Sequence, residues 1–332
     1  MKTEMKSRKI LIGLMQVLLI SLSFVLAITI PGILMPFPDV IEKARPASGF
    51  TGNPLLWNTV VNALLVFWLV KRSPYKGMKL FLQISIPLFF VQTFQTQIET
   101  LYFIDAFPLL KGNFEAYKII LRGLLESVLF SSFAVLVTGR LKITGGQPSR
   151  FVIKSDRMLN RALWLGAIYV ILYVTFGYFV AWQSQELRLF YGGPARLNTY
   201  FNQLRSMLLD KPDLPFFQYC RGLLWIAFLI PIFKGFTGGR KELIVFSALY
   251  MGLMPTVQLA FANPLMPPQV CFFHFIEVSV SNAIFGALTG YVIPVLQIRR
   301  ESERRQPGRN MRATWDRNAG LSSPQTAGCL PG

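Results

Sequence analysis

Eight apolar runs, each near the length of a bilayer-spanning helix, constrain this chain more than any motif it contains. A helix rises about 1.5 Å per residue and the hydrocarbon core is about 30 Å thick, so a span needs about 20 residues. Backbone amides in lipid have no water to bond, and the helix satisfies them internally. The expected spans are 10–30, 54–70, 78–102, 119–137, 163–182, 216–233, 243–261 and 271–296. The fold class is therefore all-α, a polytopic α-helical membrane protein with a single membrane domain over 1–298. A basic tail rich in Arg, Gly, Pro and Ser follows over 299–332 and is expected to be disordered. Composition agrees: 15% of residues are charged, against about 25% in soluble domains.

The formal charge of +18 raises the question of nucleic acid. Its distribution excludes that partner, because the basic residues sit in short loops and tails and form no basic domain. They report orientation instead. Of 34 Lys and Arg residues, 24 fall on the side of the two termini, eight on the other side, and two, Arg122 and Arg221, inside spans. The positive-inside rule then places both termini in the cytoplasm of a plasma-membrane protein. The partners implied are the bilayer itself and anionic lipid at the cytoplasmic face. The first apolar run, at 21 residues, exceeds a signal-peptide core of about 7–15 and lacks an A-x-A site, so it reads as an uncleaved anchor.

The halves align as a parallel 4+4 repeat. With Lys71 placed on Lys234, Thr93-x-Gln95 falls on Thr256-x-Gln258. With Glu126 placed on Glu277, Thr138-Gly139 falls on Thr289-Gly290.

Ionisable groups inside a membrane each cost about 2.5–3.5 kcal/mol and need a reason. This chain carries Glu99, Arg122, Glu126, Arg221, His274 and Glu277 inside spans, with amides Asn58, Gln95, Gln258 and Asn282 for company. All six ionisable groups lie toward the outer ends. Glu277 and Glu126 each sit about 9–10 Å below the outer boundary. Arg122 and Glu126 are spaced i,i+4 and His274 and Glu277 i,i+3, so each pair shares a helix face. Gln92, Gln95 and Glu99 are expected to form one polar stripe. Together these faces are expected to line a water-filled pocket open to the outside. The long outer loop 183–215 adds an amphipathic helix over about 195–209, capping the bundle or lying on the membrane.

His274 is the sole histidine, which excludes a twin Glu-x-x-His di-iron site and bis-histidine haem; the H-E-x-x-H motif is absent, and no metal or cofactor is expected. Cys220, Cys271 and Cys329 form no metal set, and whether Cys220 and Cys271 pair is left open. A transporter or permease role accounts best for the repeat, for Pro87, Pro231 and Pro255 within spans, and for the polar pocket. Two alternatives stand beside it. One is an enzyme acting on a lipid or lipid-linked substrate from the outer face, with His274 and Glu277 as catalytic candidates. The other is a non-catalytic sensor or assembly partner.

Overall fold

The computed structural model describes residues 2–37, 53–111, 114–141, 151–153, 155–261 and 264–296. The tail over 299–332 and most of loop 31–53 lie outside the described residues. Ten α-helices are described: α1 Lys2–Leu34, α2 Pro54–Arg72, α3 Gly77–Tyr102, α4 Glu115–Val137, α5 Ser155–Phe179, α6 Gln185–Phe190, α7 Tyr200–Asp210, α8 Asp213–Lys234, α9 Arg240–Leu253 and α10 Pro268–Val292. Seven of them, α1 to α5, α8 and α10, are long and apolar enough to cross a membrane.

The expected span 243–261 differs. Its α-helix stops at Leu253 after 14 residues, about 21 Å, and a turn through Pro255 leads into a 3₁₀ turn over Val257–Ala260. Pro255 has no amide proton to continue the ladder, and the backbone tightens instead. The expected boundaries elsewhere differ by up to eight residues: most helices extend beyond the expected spans, while the fifth and eighth expected spans run past the helix ends at Phe179 and Val292. Local chemistry sets two of the observed ends. Asn53 caps α2 by accepting from the amides of Leu55 and Leu56, with Pro54 in the first turn. Helix α10 ends at Val292 because Pro294 follows, and Val295–Leu296 instead pair antiparallel with Phe151–Val152.

Large apolar side chains point outward along the long helices, among them Leu14 and Leu22 of α1 and Trp164 and Ile171 of α5. Such an apolar surface suits lipid as solvent. Inside, one end of the bundle is packed dry. Leu69, Leu80, Ile84, Trp225, Phe233 and Phe246 are fully or almost fully buried there, together with Tyr250. This is the basic end, where the chain turns between α2 and α3 and between α8 and α9. The opposite end, called the loop end below, carries α6 and α7.

Helices α9 and α10 pack most closely. A Cβ added at Gly286 would strike the backbone oxygen of Ser247, and one at Gly290 would come within 2.8 Å of the Ser247 hydroxyl. Gly286 and Gly290 are spaced four apart, the small-xxx-small arrangement that lets membrane helices approach.

Arginines at the basic end close helix termini. Arg140 donates to Ser73 O at 2.7 Å, beyond the end of α2, and Arg161 donates to Val292 O at 3.0 Å. Arg240 bonds the carbonyls of Tyr291 and Pro294. Cations there complement both the orphan carbonyls and the helix dipole. Arg240→Ala is expected to lower stability by about 1 kcal/mol, read as a fall in thermal midpoint, with Arg240→Lys recovering part of it.

Candidate functional site

The site begins with an irregularity in α3. Pro87 cannot donate to Gln83 O, and the following residues Phe89–Phe94 form a π-helical turn before α-geometry resumes at Gln95. The wider turn rotates the last part of the helix. Gln92, Thr96 and Glu99 face a central cavity, while Gln95 turns away toward α8. The single stripe expected for Gln92, Gln95 and Glu99 is thereby split. Helix α4 fits against this turn because Gly123 has no side chain; a Cβ there would collide with Thr93. That contact sets Arg122 and Glu126 on the cavity wall.

The cavity has a volume of about 760 Å³ and lies in the loop-end half of the bundle. Asn58, Glu99, Arg122, Glu126 and Arg221 line it, as do Gln258, His274, Glu277 and Asn282. Gln95 does not. It braces Arg221 from behind, its side chain donating to Arg221 O at 3.2 Å while Gln95 O accepts from Arg221 Nη2 at 2.9 Å.

Arg221 is only 3% exposed, so it is enclosed by the bundle and does not reach the surface. Its Nη1 lies 2.7 Å from Glu99 Oε1 and donates to Gln218 Oε1 at 2.7 Å. Gln218 donates in turn to Glu99 Oε1 at 3.1 Å. A carboxylate and two amide residues hold this buried cation, leaving only its Nε without a hydrogen-bond partner. Gln218 precedes Arg221 by three residues on one face of α8, a spacing that would have revealed it.

Arg122 and Glu126 stand one turn apart on α4, both on the cavity wall. The Arg122 guanidinium lies over the Phe37 ring, 4.2 Å from its centroid, and acts electrostatically on Glu126, which accepts from Gln92 at 3.2 Å.

The third group contains a residue that the sequence did not single out. His274 Nδ1 lies 2.9 Å from Glu277 Oε2, and His274 Nε2 lies 2.9 Å from the Tyr191 hydroxyl. With Nδ1–H donated to the carboxylate, Nε2 accepts the phenol proton. Burial, reinforced by the Glu99 and Glu277 charges, pushes the Tyr191 phenol well above its ordinary value and keeps it a donor. Tyr191 is delivered by a compact loop. Ser184 caps α6 through the amide of Leu187, and Gly192, at φ 71°, closes the other end. Arg188, buried, bonds the carbonyls of Trp182, Pro194 and Ala195 and ties the loop into a ring. No sequence pattern joins Tyr191 to a histidine 83 residues away.

The amphipathic helix expected over 195–209 forms as α7, over Tyr200–Asp210. Its later start follows the irregular segment after Pro194. Tyr200, Gln203, Leu204 and Met207 face the cavity, so it roofs the bundle, while Phe201 and Leu209 are 77% and 68% exposed on its other side. Cys220 and Cys271 do not form a disulfide with one another.

No protein family, curated protein or solved structure matches this chain.

Proposed function

We propose that this is a permease-like membrane protein of eight crossings, oriented with both termini in the cytoplasm, whose cavity holds a small ligand entering from outside. The eighth crossing is the broken one, α9 with the 3₁₀ turn Val257–Ala260. Residues 1–298 form one membrane domain in this reading.

The observation that carries it is a matched pair of irregular helices. The offset that places Lys71 on Lys234 also places the π turn Phe89–Phe94 on 252–257, where α9 unwinds. The same offset places Asn58 on Arg221, and both line the cavity. Packing follows the repeat too: α1 contacts α2 and α4 as α5 contacts α8 and α10, and α3 packs on α8 as Val257–Ala260 packs on α2. Interrupted helices at corresponding places in two halves are where secondary transporters bind their substrates. The dry packing at the basic end supports an outward-open state, closed toward the cytoplasm.

An enzyme reading has one observation in its favour, the Glu277–His274–Tyr191 chain, which has the geometry of an oriented base. One experiment separates the two. Ser281 lines the cavity on α10. In a background lacking Cys220, Cys271 and Cys329, Ser281→Cys is expected to react with a membrane-impermeant maleimide from outside intact cells. It is also expected to react, more slowly, from the cytoplasmic side of inverted vesicles, as alternating access requires. Labelling from the outside alone would overturn transport and leave the one-sided, enzyme-like site.

A further inference from the structure

Helix α7 carries apolar side chains on two faces. Tyr200, Leu204 and Met207 face the cavity. Phe201, Leu208 and Leu209 face away from it and are 77%, 49% and 68% exposed. With Arg205 they form a stripe at the spacing i, i+4, i+7 and i+8, one side of an amphipathic helix. Arg205 stands exposed in the middle of that stripe and makes no hydrogen bond or ion pair with any described residue.

Its neighbours set the level at which this face lies. Phe179, the last residue of α5, is 59% exposed and stacks on the Tyr200 ring at 5.5 Å. Tyr200 meets Phe201 edge-on, also at 5.5 Å between centroids. The apolar surface that α5 presents through Trp164 and Ile171 therefore continues onto α7. At the other end only Lys211 and Pro212 separate α7 from α8, where Phe216 is 70% exposed. Helix α7, 11 residues and about 16 Å long, thus runs between the loop ends of two spans. That is the depth of the headgroup layer, where aromatic side chains concentrate in membrane proteins.

Whatever covers the stripe must suit both of its parts. Water solvates Arg205 but leaves three large apolar side chains uncovered. The apolar core of a protein interface covers those side chains but leaves the guanidinium unpaired. The boundary between headgroups and acyl chains does both, because an arginine reaches up to a phosphate while its apolar neighbours point into the chains. We infer that α7 lies in the phospholipid headgroup layer at the loop end, with Arg205 on a phosphate and Phe201, Leu208 and Leu209 against the acyl chains. The roof of the cavity is thus a helix held by lipid on its far side. That this leaflet is the external one rests on the orientation proposed above; the contact with phospholipid does not.

The test places a nitroxide on Leu208→Cys in the full-length protein lacking Cys220, Cys271 and Cys329, in nanodiscs of phosphatidylcholine. Power-saturation electron paramagnetic resonance compares collisions with oxygen, which concentrates in lipid, and with a water-soluble nickel chelate. Oxygen is expected to exceed nickel by at least about threefold. Leu209→Cys serves in the same way should the first variant fail to fold. Adding Arg205→Glu, which repels phosphate, is expected to lower the ratio at least about twofold, and Arg205→Lys to keep it. In nanodiscs of a phosphate-free galactolipid, Arg205→Glu is expected to change the ratio little. Nickel equal to or above oxygen means a face in water and overturns the inference. Exclusion of both reagents overturns it too, and spin–spin broadening would then identify a second copy of the chain as the cover. A folded Arg205→Glu protein with an unchanged ratio in phosphatidylcholine, or an equal fall in galactolipid, overturns the phosphate contact. Because both leaflets of a nanodisc are alike, the result is independent of orientation and of the two-sided labelling at Ser281.

Discussion

Arg221→Met is expected to destabilise the protein by about 3 kcal/mol, the largest loss from any single polar change at the site. Removing one partner of an enclosed ion pair leaves the other charge uncompensated, at about 3–5 kcal/mol. The lower figure applies because Glu99 keeps 28% of its side-chain surface open to the cavity. The change also strips Gln218 Oε1 and Gln95 O of their donor. Glu99→Gln in the same background is expected to return most of the loss, because a neutral amide meets Gln218 without a charge to bury. The check is a double-mutant cycle on unfolding free energy, and the expected coupling is about 2 kcal/mol. Additive losses would show that the pair does not hold α3 to α8.

Gly286→Leu is expected to prevent a stable fold outright. Its side chain would have to occupy the place of the Ser247 backbone, so α9 and α10 would separate by the width of a side chain. Membrane helices associate through close packing more than through burial from water, and the hydrogen bonds that Arg240 and Thr256 make to α10 and the residues after it are too few to replace that packing. Separation would also withdraw Gln258 from the cavity and break the hydroxyl pair Thr256–Ser279, which sits at 2.7 Å. The measurement is the yield of monodisperse protein after detergent extraction, expected to fall to near zero. Gly13→Leu serves as control. No atom lies within 4 Å of a Cβ built there, and its yield is expected to stay unchanged.

Both predictions concern the packing of one helix on another, and there the sequence was least informative. The helices themselves were legible, because a run of apolar residues in lipid has one way to satisfy its backbone. The seventh run was the exception. Its apolar character extends across 243–261, yet Pro255 ends the α-geometry that hydropathy implies. The polar residues were legible as a set because each is costly in lipid and needs a partner. Their shared level followed from counting residues along each span.

Their assignments to one another were less legible. Spacing on one helix correctly pairs His274 with Glu277, since i,i+3 neighbours meet whatever surrounds them. It misplaces Gln95, because the π turn after Pro87 shifts the register between Gln92 and Gln95, and helical periodicity assumes an unbroken turn of about 3.6 residues. It says nothing of Tyr191 or of Glu99 with Arg221, whose partners lie on other elements.

The sequence by itself determined the membrane setting, the all-α class, and the concentration of polar groups toward one end of the bundle. Each follows from the transfer energy of single residues and the length of a helix. Only the tertiary structure decided that those groups enclose one cavity, that Arg221 is matched by Glu99 from another helix, and that Tyr191 reaches His274. Those contacts depend on distances between elements far apart in the chain, and hydropathy and local spacing carry no record of them.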